Sequence, residues 1–231
     1  MSRIEHHPNE DTLLSYAAGS LPAALALVVG CHLQFCPQCR TAVRAGESLG
    51  GELITALTPK ALSERARTNM LQRLDLQQAQ GEAQSVPAGD VVTTIAESES
   101  AHTKVGVPTL LRKMLHEQDF EALPWKKTIA PGLKQIILDC GEGQARLLRI
   151  AAGQKMPVHS HRGSELTLIL SGGYSDKLGQ FNAGDVADLD GSTEHQPLAD
   201  DDMDCICLAG MDAPLVFKGW LAKLVQPFVG M

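Results

Sequence analysis

The chain has 231 residues, a formal net charge of −7 and 44% hydrophobic residues. That length and apolar content suffice for two modest domains with a core each. The acidic balance, with no basic run longer than Lys126-Lys127, excludes a protein that works mainly by gripping nucleic acid. The six cysteines cluster at positions 31, 36 and 39, then 140, then 205 and 207, unlike a dispersed disulfide framework, and point to a reducing, cytoplasmic setting.

In chain order, Asn9 is placed to cap a first helix through "EDTLLSYAAG", with an acidic first turn and Gly19 at its end. Ser20 and Pro22 open a second helix that runs to about Phe35. Within it, "LPAALALVVGC" imitates the end of an export signal, but Glu5, Glu10 and Asp11 precede it where a basic segment is required. It is also shorter than the about 20 apolar residues that span a bilayer, so a buried helix and no membrane association are expected. Pro37 restarts the chain as a third helix to about Leu57, and Pro59 begins a fourth through "KALSERARTNMLQRLDLQ". In that helix Leu62, Ala66, Met70 and Leu74 recur at spacing four, a stripe that fits either a partner's groove or the other three helices.

These elements define a helical domain over residues 1–80. A polar, Gln/Ser/Glu-rich linker is expected over 81–107. From 108 onward, short apolar alternations cut by glycine ("LKQIILDCGEG", "ELTLILSGG", "DCICLAG") predict an all-β sandwich or barrel over 108–231. The fold class is therefore a multidomain chain, helical first and all-β second.

Two groups of residues carry metal chemistry. In "CHLQFCPQCR", His32 lies one helical turn before Cys36, and Cys39 lies one turn after it, so imidazole and two thiolates converge with the softness that suits Zn²⁺. Cys31 is off that face, and the fourth donor is expected from His6 or His7, whose adjacency allows only one of them. A structural zinc contributes roughly 10–16 kcal/mol of apparent binding energy, as much as the about 5–15 kcal/mol net stability of a domain, so this site reads as structural. In the second half, His159 and His161 alternate onto one face of a strand, Glu165 follows after a short turn, and His195 is the one further histidine among the β segments. Three imidazoles and a carboxylate suit Zn²⁺, Mn²⁺, Fe²⁺ or Ni²⁺. Cys205 and Cys207, two apart on a strand, share a face where oxidation would convert a thiol pair to sulfenic acid or a bridge.

The stretch from Gly153 through His159, His161, Glu165 and Gly172 resembles the first cupin motif, G-x5-HxH-x3-E-x6-G, position by position. Gly184 and His195 resemble the second, although Asp190, Ser192 and Ala199 replace its usual proline, glycine and asparagine. With "HHPNEDTLLSYAAGSL" and the His-x3-Cys-x2-Cys spacing, nearly the whole chain resembles the ChrR family of anti-sigma factors. That resemblance implies a four-helix zinc-binding anti-sigma domain followed by a cupin barrel. It implies His7, His32, Cys36 and Cys39 as zinc ligands and His159, His161, Glu165 and His195 as the cupin ligands; Cys205 and Cys207 also look like the family's pair. It further implies a cytoplasmic, non-enzymatic regulator that sequesters a group IV (extracytoplasmic-function) sigma factor without touching nucleic acid. Release would follow oxidative stress such as singlet oxygen. The competing expectation is a cupin-type metal-dependent dioxygenase or isomerase.

Overall fold

The computed structural model describes residues 4–81, 106–116 and 119–217. The described residues fall into two compact units, one within 1–50 and 101–231 and the other within 51–100. Most of the expected linker and the end of the chain beyond Phe217 lie outside the described residues.

Helix α1 (Glu10–Ala17) starts where Asn9 Oδ1 accepts from the Thr12 N–H at 2.7 Å and stops before Gly19 at φ 68°. Helix α2 (Ala23–His32) is buried almost all round, as its unbroken apolar sequence dictates, and α3 (Pro37–Thr55) begins at the expected proline. Helix α4 (Glu64–Gly81) departs from the expected start near Pro59. Ser63, whose Oγ accepts from the Ala66 N–H at 3.2 Å, supplies the cap instead, because a hydroxyl satisfies a first-turn amide that proline leaves open. A second departure is α5 (Thr109–Leu115), a two-turn helix at the head of the region expected to be wholly β. Its seven residues are too few for a helical period to stand out, and packing decides the state.

The strands are β1 (Lys126–Lys127), β2 (Leu133–Leu138), β3 (Gln144–Ile150), β4 (His159–His161), β5 (Glu165–Ser171), β6 (Gly173–Asp176), β7 (Gly179–Asn182), β8 (Val186–Leu189), β9 (Glu194–His195), β10 (Leu198–Ala199), β11 (Cys205–Met211) and β12 (Leu215–Phe217). A six-stranded antiparallel sheet runs β1-β2-β3-β11-β5-β8, beside sheets β10-β6-β7 and β12-β4-β9.

Strands β5 and β11 are buried at every residue, because the large sheet is covered on both faces. Ala24, Leu25, Val28 and Val29 of α2 belong to the cluster that covers Leu147, Leu166, Leu168 and Leu208 on the outer face. The inner face carries Leu133, Ile150, Ile169, Cys205, Cys207 and Met211 with Tyr174 and Phe181 of the neighbouring sheet. At Gly210 the helix backbone comes so close that a Cβ would collide with the Ala24 carbonyl oxygen.

The chain's first described residues are strapped to β8. The Glu5 and His6 N–H groups donate to Asp185 Oδ1 at 2.7 and 3.1 Å, and the Val186 N–H donates to the His6 carbonyl at 3.0 Å. One turn on, the Asn9 N–H and the Thr12 hydroxyl both donate to Asp188 Oδ2.

Candidate metal centres

Two groups of four donors stand out among the described residues, each with its donor atoms within 4.8 Å of one another. The first is His7, His32, Cys36 and Cys39. Cys36 follows the end of α2, and Pro37 turns the chain so that Cys39 comes back over it, its N–H donating to Cys36 Sγ at 3.4 Å. The strap delivers His7, whose Nδ1 lies 3.4 Å from both sulfurs, and His32 Nε2 lies 3.3 Å from Cys39 Sγ. His6 points elsewhere and packs against the Phe181 ring at 4.3 Å. Cys31 is fully buried outside the cluster, its thiol pushed up to about 12 by burial and by Cys140.

These spacings fit an ion. Tetrahedral Zn–S and Zn–N bonds place a sulfur and a nitrogen about 3.6 Å apart. The ring of His32 is fixed by its Nδ1–H, which donates to the Gly184 carbonyl at 3.0 Å, leaving the Nε2 lone pair toward the sulfurs. Burial first, and the neighbouring His7, push His32 down to about 4, so it is the neutral imidazole that a cation requires. Burial and Cys36 push the Cys39 thiol up to about 12.

The second group is His159, His161, Glu165 and His195. Its histidines come from β4 and β9, which pair with His159 opposite His195, and Glu165 opens β5 after the Arg162–Ser164 turn. Each imidazole is oriented through Nδ1. His159 donates to the Pro157 carbonyl at 2.9 Å, His195 to Asp176 Oδ2 at 2.8 Å, and His161 faces the Asp190 carbonyl at 3.4 Å. All three Nε2 lone pairs therefore point inward. The Nε2 atoms of His159 and His195 face each other at 2.9 Å, a repulsive arrangement unless a cation lies between them; adjacent nitrogens of an octahedral ion are about 3 Å apart. His161 Nε2 lies 3.1 Å from Glu165 Oε2, but without hydrogen-bond alignment, and this buried atom has no hydrogen-bond partner among the described residues. Such an orphaned lone pair is the position a metal fills.

Electrostatics agree. Burial alone would raise the Glu165 carboxyl, yet His161, His159 and His195 hold it well below the usual carboxylate range. Against burial, Glu165 raises His161, whereas burial and the other two histidines lower His159. Thr167 steadies the carboxylate through its Oγ1, which donates to Glu165 Oε1 at 2.9 Å. A cavity of about 50 Å³, lined by Leu148, Met156, Tyr174, Pro197, Cys207 and Met211 among others, opens beside these groups.

Cys205 and Cys207 are both buried and unpaired on β11, and only Cys207 borders the cavity. Cys205 beside it, then burial, push the Cys207 thiol far up. The orienting groups Asp176, Thr167 and the Gly184 carbonyl were not found from the sequence, because they carry no spacing signal and reach the donors only through tertiary pairing.

A helical region packed on a cupin-like β domain, with a cysteine-histidine cluster in one and a histidine-carboxylate cluster in the other, defines a cupin-like protein with two candidate metal centres. The ChrR cupin-like domain family matches residues 114–213. The anti-sigma-E factor ChrR of Cereibacter sphaeroides is 39% identical over 226 residues, covering 97% of this chain and 98% of the relative. A crystal structure of Rhodobacter sphaeroides SigE in complex with the anti-sigma ChrR matches with a TM-score of 0.69 and 36% identity, covering 91% of this chain and all of that one. The chain belongs to the ChrR family of anti-sigma factors. That membership makes it a regulator and sets aside the dioxygenase or isomerase expectation. No helix among the described residues is long and apolar enough to cross a membrane.

Proposed function

We propose that the chain sequesters a group IV (extracytoplasmic-function) sigma factor in the cytoplasm and releases it under oxidative stress such as singlet oxygen, thereby restraining transcription without touching DNA. The observation that carries this reading is likeness over 97% of the chain to an anti-sigma factor. In it, residues 1–80 are a four-helix anti-sigma domain, 81–107 a linker, and 108–231 a cupin barrel that receives the signal. The α4 stripe supports a docking role, since Met70 and Leu74 are 58% and 45% exposed, and Leu62, two residues before the helix, is 73% exposed. An acidic chain also suits a partner that presents basic surface to promoter DNA.

His7, His32, Cys36 and Cys39 hold Zn²⁺ as a structural staple in this reading. His159, His161, Glu165 and His195 hold Zn²⁺, Mn²⁺, Fe²⁺ or Ni²⁺, which when bound would supply Lewis-acid or redox character. The chain's own part is to fix each imidazole through Nδ1, to keep Glu165 ionised and to bury the donors away from water. Cys205 and Cys207 are the redox candidates of this reading; Cys207 borders the cavity, and oxidation there would have to act on a thiol whose raised pKa keeps it protonated.

Purification of the tagged full chain from its own cells, followed by mass spectrometry and metal analysis, is expected to return a group IV sigma factor and two metal equivalents per chain. Recovery of the chain without any sigma factor would refute the partner. A Cys205→Ser, Cys207→Ser double variant that still releases its partner under oxidant would remove the thiols from the signal.

A further inference from the structure

Three cations stand in a row across one end of the large sheet. Lys127 of β1 is directly opposite Lys134 of β2, and Lys134 is directly opposite Arg149 of β3. Residues so opposed share a face with Cβ atoms about 4.5–5.5 Å apart, and like charges there repel. Arg149 is neutralised, because its Nε donates to Asp204 Oδ2 at 2.7 Å and its Nη1 to Glu121 Oε2 at 2.8 Å. Neither lysine has an ion pair among the described residues. Lysine on an exposed edge strand guards a sheet against pairing with other chains, which accounts for Lys127 on β1. It does not account for Lys134, because β2 lies between β1 and β3.

The row borders a cavity. Lys127, Lys134 and Arg149 line a volume of about 300 Å³ together with Thr128, the turn over 130–133 and Asp204, at the lower end of the roughly 300–1,000 Å³ range of small-ligand sites. Asp204 is the one carboxylate of that lining, and it is already taken by Arg149 and by the Ala152 N–H at 3.1 Å. The lining thus carries three cations against one anion in a chain of net charge −7. Its rim is held in place by local bonds. The Leu133 N–H donates to the Ala130 carbonyl at 3.3 Å across Pro131 and Gly132, whose φ of 73° closes the turn. The Thr128 hydroxyl oxygen accepts from the Ala130 N–H at 3.2 Å. No donor of either candidate metal centre lines this cavity.

We propose that this end of the sheet is a binding site for a small phosphate-bearing anion, held between the Lys127 and Lys134 ammonium groups. The chemistry of the donors selects phosphate over carboxylate. The Arg149 fork, which would grip a carboxylate with two parallel bonds, is occupied by Glu121 and Asp204. What remains is a pair of lysines, which act on phosphate as point charges. One dianion between them also cancels the repulsion that their register creates. This inference goes beyond the sigma-factor reading and does not rest on it.

The test is calorimetry and thermal unfolding of the full chain with inorganic phosphate and with glycerol phosphate at constant ionic strength, with succinate as the dicarboxylate comparison. Wild type is expected to bind at least one of the two phosphates saturably, with Tm raised by about 2 °C or more. Tighter binding of inorganic phosphate would identify the free anion as the ligand, and tighter binding of glycerol phosphate an esterified one. Lys127→Gln and Lys134→Gln should each lose at least about fivefold in affinity. Their Tm without ligand should match or exceed that of wild type, since each removes one of two opposed like charges. Lys126→Gln should bind as wild type does, because Lys126 alternates to the other face, opposite Gln135. Four results overturn the proposal: no saturable phosphate binding by wild type; unchanged affinity in Lys127→Gln and Lys134→Gln, which would put the anion elsewhere; an equal loss in Lys126→Gln, which would reduce the effect to net charge; or succinate bound as tightly as phosphate.

Discussion

Asp176 belongs to neither cluster, yet it sets the tautomer of His195 from 2.8 Å away. Orienting carboxylates of this kind are worth 10–100-fold in metal affinity. Asp176→Asn is therefore expected to weaken the second site by about that factor while the first keeps its ion, as read by chelator competition and metal counting. Cys36→Ser should do the reverse, removing the first equivalent and lowering the unfolding midpoint. The loss is bounded by the roughly 10–16 kcal/mol that structural zinc supplies. Seven of the eight candidate donors were legible in the sequence because helical spacing, strand alternation and a motif of fixed gaps place them. The choice of His7 over His6 came from resemblance, and its physical reason is the strap: Asp185 binds two successive N–H groups, which leaves His6 on Phe181 and aims His7 at the sulfurs.

Helix α2 and the segment leading into β8 position the first cluster, and β8 pairs with the strand that carries Glu165. Asp185 is 1% exposed and accepts from the Glu5, His6 and Asn182 N–H groups. Replacing it with alanine strands three donors, each costing about 1–3 kcal/mol, so Asp185→Ala should lose at least about 3 kcal/mol in urea unfolding. Gly210→Ala should cost about 1–3 kcal/mol by forcing α2 away from β11, and hydrogen exchange should quicken in α2. Helix α4 differs in kind, because its apolar residues are exposed. Met70→Asp should leave the unfolding midpoint within about 0.5 kcal/mol of wild type yet weaken sigma-factor binding at least tenfold. The late start of α4 and the presence of α5 escaped the sequence reading for related reasons. A single serine outweighed a proline as cap, and the seven residues of α5 are too few for a period that separates helix from strand.

At the scale of the molecule, one continuous path of contacts joins the two centres. Gly184 holds His32, Asp185 holds the strap, and β8 continues from them to Leu189, which pairs with Glu165. A change at Glu165 thus has a short physical route to the first cluster through β8. If the proposed sensor works this way, stripping the second site should speed amide exchange at His6 and Val186 even with the first site loaded. Unchanged exchange there would sever the route.

The sequence by itself determined the helical and β regions, the two donor sets and the family, because periodicity, ligand spacing and motif gaps are local properties. Only the tertiary structure decided that the first cluster is seated against the cupin-like sheet, and that Asp176, Asp185 and Thr167 serve it and its counterpart. It alone also buried Arg146 with no ion pair among the described residues. Those facts depend on residues far apart in the chain meeting across strands and on which face each meets, and no local pattern encodes either.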